Sequence, residues 1–250
     1  MTATIDPADP LAVAAAVQAI HDGDVAGLRR LLTEQAHLAT ARLGNDQPCG
    51  MTRTLLHVAT DWPGHYPNGP ATVAALVAAG ADVNARFTGP HTETPLHWAA
   101  SSDDVAVLDA LLDAGADIEA GGGVIGNGTP LADAVAFGQW NTARRLLERG
   151  AQPNLWQAAG LGLLAHVQAA CTADPPPPAD EITGAFWLAC HGGQEATSAY
   201  LLDLGADLNW IGYDQLTPLD AARRSSAHQL AEWLTARGAL TADQVGPAHG

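Results

Sequence analysis

The sequence predicts an all-α fold, a single solenoid domain of about seven stacked helix-turn-helix repeats joined by short β-hairpin loops, covering residues 1–250. Three observations predict it: a Thr-Pro-Leu phrase returns along the chain, a Gly-Ala-Asp phrase follows it, and the interval between them is constant. A repeat period governs architecture more strongly than any local propensity. Glu93-Thr-Pro-Leu-His-Trp-Ala-Ala100 precedes Val107 to Ile118; Thr54-Leu-Leu-His-Val-Ala59 precedes Gly80-Ala-Asp-Val-Asn84; and Thr129-Pro-Leu, Ala185-Phe-Trp-Leu-Ala-Cys and Thr217-Pro-Leu-Asp-Ala-Ala222 repeat the pattern. The offset is 19 residues from Leu96 to Gly115, Leu131 to Gly150, Phe186 to Gly205 and Leu219 to Gly238.

The residue types suit a pair of helices. Threonine at the N-cap accepts a backbone N–H, and proline at the first helical position lacks only a donor that would be orphaned there. Leucine and alanines at inward positions let helices approach closely, and glycine takes the left-handed conformation that ends the second helix. Each pair is amphipathic and cannot bury its apolar face alone, so stacking supplies the core.

With Thr94-Pro-Leu-His-Trp-Ala99 and Gly80-Ala-Asp-Val-Asn84, the chain resembles the ankyrin repeat family over about residues 14 to 240. In order, the elements are an N-terminal tail (1–13), a capping repeat (14–43) that lacks Thr-Pro, repeat two (44–90) with an insertion at 61–72, repeat three (91–127), repeat four (128–154), a degenerate repeat five (155–184), repeat six (185–214), a C-terminal capping repeat (215–240) and a tail (241–250). The resemblance implies that His57 and His97, at the family's TPLH position, are scaffold, and that the chain is a binding module recognising another protein through its concave groove.

Three departures stand out. The insertion, Asp61 to Pro70 at its most distinctive, lengthens the leucine-to-glycine offset to 24 (Leu56 to Gly80) and belongs between two helices. Gly121 to Gly128 is glycine-rich where a hairpin tip belongs, so a mobile tip is expected. After Asn154 a helix starts at once with Leu155, so one hairpin is missing.

Composition narrows the function. Eleven arginines, no lysine and 27 acids give a formal charge of −16, which repels a phosphate backbone or an anionic membrane and favours a basic partner. No apolar run of membrane-spanning length and no basic leader occur, so a cytoplasmic protein is expected, and capped ends predict a monomer. Cys49, Cys171 and Cys190 lack metal-site spacing and read as small packing residues. No cofactor or metal is expected.

Helical spacing directs certain positions to the groove. The candidate binding residues are Asp61, Trp62, His65, Tyr66, Phe87, His91, Glu93, Trp98, Ser101, Phe137, Trp140, His191, Glu195, Trp210 and Tyr213. Trp156, Trp187 and Trp233 read as packing residues. If the groove is catalytic, Asp61, Asp133 and His191 are the residues for proton transfer, although no nucleophile elbow, phosphate loop or zinc-protease phrase occurs. The alternative to a protein partner is a small apolar ligand, bound or processed by an enzyme of a biosynthetic pathway in a pocket lined by Trp62, Trp98, Phe137 and Trp140. A third reading, from charge alone, is an acidic nucleic-acid mimic for a basic protein.

Overall fold

Each Thr-Pro-Leu phrase begins a helix, because the threonine at its head has extended backbone and the proline already holds a helical φ. The structure is a computed structural model that describes residues 10–44 and 50–246. Its contacts group the chain into two units, Met1–Ala151 and Gln152–Gly250.

The first unit holds four helix pairs: α1 (Pro10–Asp22) with α2 (Val25–Glu34), α3 (Leu55–Thr60) with α4 (Gly69–Ala78), α5 (Pro95–Ser101) with α6 (Val105–Asp113), and α7 (Pro130–Ala136) with α8 (Trp140–Glu148). Helices α1, α3, α5 and α7 pack in sequence as one layer, and α2, α4, α6 and α8 form the other. Leu28, Leu56, Leu76, Leu96, Leu108 and Leu146 are wholly buried between the layers. Each such leucine contributes about 1.5–3 kcal/mol by leaving water. Asp24 and Asp104 cap α2 and α6 by accepting the Gly27 and Val107 amides at 2.8 and 3.1 Å.

The Gly-Ala glycines that follow each leucine phrase end the second helices as expected. Gly80, Gly115 and Gly150 have φ between +91° and +103°, the left-handed region that side-chain-bearing residues avoid.

His57 and His97 are wholly buried scaffold residues. The Thr94 N–H and hydroxyl both meet His97 Nδ1, at 3.1 and 2.9 Å, and Nε2 meets the Gly128 carbonyl at 3.1 Å. His57 repeats the arrangement with Thr54 and the Glu93 carbonyl. Because Nδ1 accepts a backbone N–H, the proton sits on Nε2, which donates to the next repeat. Each histidine thus closes its own capping box and ties it to the following loop.

The inserted segment lies between α3 and α4. Its Asn68 amide donates to the Gly23 carbonyl (2.9 Å), while the His65 N–H donates to Asp104 (2.8 Å) and the His65 ring donates to the Ser102 carbonyl (3.0 Å). The insertion therefore joins the α1–α2 turn to the α5–α6 turn.

Two short strands, β1 (Leu43–Gly44) and β2 (Thr52–Arg53), pair antiparallel, and Thr52 bridges in turn to Thr88. The glycine-rich loop is more built than its composition suggests. The Gly122 and Gly123 amides donate to Asn127 and Gly128, Thr92 donates to Gly122, and Arg86 donates to Gly121. Glycine there permits the backbone to close on itself and on α7.

The second unit contains α9 (Leu155–Gly160) with α10 (Leu164–Cys171), α11 (Ala179–His191) with α12 (Glu195–Asp203), α13 (Pro218–Arg224) with α14 (His228–Thr235), and a terminal turn α15 (Ala242–Val245). Asn154 caps α9 through a reciprocal pair of bonds with Gln157. Helix α11 begins six residues ahead of the Ala185 phrase, directly after Pro178, and its first-turn acids Asp180 and Glu181 complement the helix dipole. Phe186 and Trp187 are buried. The Trp187 indole donates to the Leu216 carbonyl at 2.8 Å. Trp156 and Trp233 are half-buried against the same core. Cys190 is buried, with its thiol pushed up to about 12 by desolvation, and Cys171 is half-buried. Cys49 lies outside the described residues.

Candidate functional site

In the first unit, α1, the β1–β2 pair and the base of the 82–93 loop leave a recess of about 470 Å³. Val13, Val17, Leu43, Met51, Phe87 and Trp98 line it, with Arg53 at its wall. The sequence places these groups by different routes: Val13 and Val17 lie one helical turn apart on α1, Met51 precedes β2, and Trp98 follows the histidine of the α5 capping box. Phe87 meets Trp98 at 5.5 Å between ring centroids, and the His57 ring meets Trp98 edge-on at 4.9 Å. Met51, 49% exposed, stands at the mouth.

A buried carboxyl pair lies behind Trp98. Glu93 is 6% exposed and Asp133 wholly buried. Glu93 accepts the Trp98 indole N–H at 3.1 Å, and the two carboxyl groups adjoin, each shifting the other. Desolvation pushes Asp133 up to about 7, reinforced by the charge of Glu93 and opposed by the loop amides of Ile125 and Val124. Glu93 is raised by desolvation and relieved by Trp98. Burial thus biases both carboxyls toward the protonated form.

His57 and His97 are lowered to about 4, chiefly by burial and against the pull of their backbone carbonyl partners. Both stay neutral at physiological pH.

The remaining candidates are distributed over separate positions. Asp61 forms an ion pair with Arg53. Trp62 is 78% exposed and Phe137 47% exposed, and neither lines the recess. The recess shares only Trp98 with the pocket expected from Trp62, Trp98, Phe137 and Trp140; Trp62 lies in the insertion and Phe137 at the C-cap of α7. Tyr66 stacks on His21 at 4.6 Å. His65 holds the insertion in place, His91 lies on the 82–93 loop near Glu93, Ser101 is half-buried at the end of α5, and Trp140 is half-buried at the start of α8.

In the second unit, Trp210 and Tyr213 meet edge-on at 5.7 Å, and Tyr213 meets Trp187 at 5.1 Å. His191 is buried against Trp187, with Nδ1 3.2 Å from the Ser225 hydroxyl, while Glu195 is exposed at the start of α12. Asp61, Asp133 and His191 thus occupy an ion pair, a buried carboxyl pair and a ring stack, three separate environments.

Sequence reasoning missed Val13, Val17, Leu43 and Met51, which flank the repeats and lie outside the groove offsets. It also missed the Glu93–Asp133 contact. The signal for the latter was present: Trp98 and Asp133 hold equivalent positions in successive repeats, two residues after their leucines, with Glu93 immediately before the Thr94 cap.

Residues 66–157 match the family model for ankyrin repeats in three copies. An ankyrin repeat and KH domain-containing protein of Caenorhabditis briggsae is 29% identical over 182 residues, 68% of this chain, and the chain spans 7% of that relative's length. The crystal structure of the human ASB11 ankyrin repeat domain aligns with a TM-score of 0.51 at 21% identity, covering 91% of this chain and 98% of that one. Among the described residues no helix is long and apolar enough to cross a membrane.

Proposed function

Since the chain is an ankyrin repeat protein, and such repeats generally serve protein–protein interaction, we propose that it is a non-catalytic module that binds a partner protein at the Met51–Trp98 recess. The observation that carries the reading is the recess itself: six apolar side chains, two of them aromatic, open to solvent beside the Arg53–Asp61 pair. Interfaces draw most of their energy from a few side chains of this type, set in a pocket and ringed by polar groups. The matching group on the partner is one bulky apolar side chain, and the formal charge of −16 steers a partner whose surrounding residues are basic.

A photo-crosslinking amino acid at position 51, expressed in the native host, tests this. The reading expects one protein captured at position 51, lost on Trp98→Ala, and none at position 144 on α8. Absence of capture at position 51 across growth conditions counts against it.

A second reading follows from the volume. About 470 Å³ lies within the range of small-molecule sites, so a compact apolar ligand is the alternative occupant. Native mass spectrometry of protein purified from the host distinguishes the two.

A further inference from the structure

Residues 121–128 close on α7 around a single group, the Asp133 carboxyl. The Ile125 N–H donates to Oδ1 at 3.2 Å, and the backbone passes so near at Gly123 that a Cβ there would lie 2.7 Å from Oδ2 and 2.8 Å from Oδ1. Oδ2 is buried and receives no donated hydrogen bond. A buried carboxylate oxygen in that position is costly, whereas a protonated one has its own hydrogen to give. Glu93, arriving from the preceding loop, is there to accept it.

We propose that residues 121–128 are a flap held shut by a proton shared between Asp133 and Glu93, and released when that proton is lost. Deprotonation sets two carboxylates in contact inside a site closed to water, and neither can turn outward while the flap is shut. The flap is the part able to yield: it is five glycines with Val124, Ile125 and Asn127, and has no charged side chain of its own.

The groups that face the pair are few. The 82–93 loop contributes His91 beside Glu93, and Arg86, whose guanidinium is occupied by the Gly121 and Thr92 carbonyls. Helix α5 contributes the Trp98 indole and His97, whose ring donates to Gly128 at the far end of the flap. Helix α3 contributes His57, bonded to the Glu93 main chain. Helix α7 contributes Asp133 alone. His57 and His97 stay neutral above pH 6, so neither supplies a compensating charge as the pH rises. Asp133, raised to about 7, is the group that changes in this range.

Opening would free Glu93 and the indole edge of Trp98, the aromatic wall of the recess. The flap as a control on partner binding rests on the partner reading above, whereas its motion does not, and the two can fail separately.

Hydrogen exchange of the partner-free full chain tests the motion. After correction for the intrinsic pH dependence, amide protection of residues 122–128 is expected to fall at least tenfold between pH 6.0 and 8.5 while staying below that of α5 and α7 at each pH, which marks a local opening. Asp133→Asn keeps an N–H pointed at Glu93 and should hold the pH 6.0 protection throughout. Carbon-13 carboxyl NMR on the wild-type chain provides a readout that needs no variant: a midpoint above pH 6 for Asp133 is expected. Flap protection independent of pH in the wild type, an equal loss in Asp133→Asn, or a midpoint below pH 6 would each overturn the proposal. If the flap opens but no partner crosslinks at position 51, the binding reading fails and the flap stands.

Discussion

Lowering the pH from 7 to 5 is a perturbation to which the first unit responds through two residues, His57 and His97. Each is buried as the neutral ring, with Nδ1 already accepting from the threonine cap, so a second ring proton has no acceptor. Their pKa values are lowered to about 4 from 6.5. The sign follows from proton counting: the unfolded chain binds more protons between these values, so the stability they confer is complete above pH 6.5 and is lost as pH falls toward 4. A shift of that size corresponds to about 3 kcal/mol per histidine over the whole range and about 2 kcal/mol by pH 5, hence about 4 kcal/mol for both. Asp133 works in the opposite direction, gaining stability on acidification, and is best removed from the comparison. Native-state hydrogen exchange of α3 and α5 in Asp133→Asn, at pH 7 and pH 5, reads the first unit alone. The expected loss is about a thousandfold in protection. A loss below tenfold would refute the reasoning that both rings are held neutral by their capping bonds and burial.

Other perturbations follow from the same geometry. Asp133 has a raised pKa, so its contribution is present at low pH and is lost as pH rises from about 4 through 7; Asp133→Asn should gain stability relative to wild type over that interval, by up to about 4 kcal/mol, in paired urea unfolding series. Leu108→Ala leaves a cavity between α6 and its neighbours and should cost about 2–5 kcal/mol by the same assay. Asp24→Ala removes the cap bond to the Gly27 amide and should cost about 1 kcal/mol. Arg53→Ala breaks a pair whose side chains are 39% and 35% exposed, so its effect on stability should be below about 1 kcal/mol.

The fold was legible in the sequence because each repeat writes its own grammar: threonine cap, proline, inward leucine and alanine, then glycine at a set distance. These are local rules, and Thr94, Gly115 and His97 obey them individually. The insertion's place between α3 and α4 was legible from the stretched offset alone. The flap was less so. Glycine content at 121–128 suggested a free tip, but the loop acquires order from a carboxyl group on the next helix, and composition does not encode such a partner. The start of α11 at Ala179 was hidden because Pro178 and two first-turn acids made a helix start without the usual phrase. The recess was the least legible part. Periodicity assigns Trp98 to one face of α5, but the other walls come from α1 and a strand pair outside the repeat pattern. Trp62, chosen for its aromaticity, lies in the insertion.

The central claim, that the recess beneath Met51 is where a partner docks, is tested most directly by the affinity of the captured partner for Met51→Asp. Met51 is exposed, so a charge there leaves the fold intact, and Leu204→Asp, equally exposed in the second unit, controls for added charge. Isothermal titration should show binding weakened at least thirtyfold by Met51→Asp, about 2 kcal/mol, and unchanged by Leu204→Asp. Equal affinity of wild type and Met51→Asp would contradict the account.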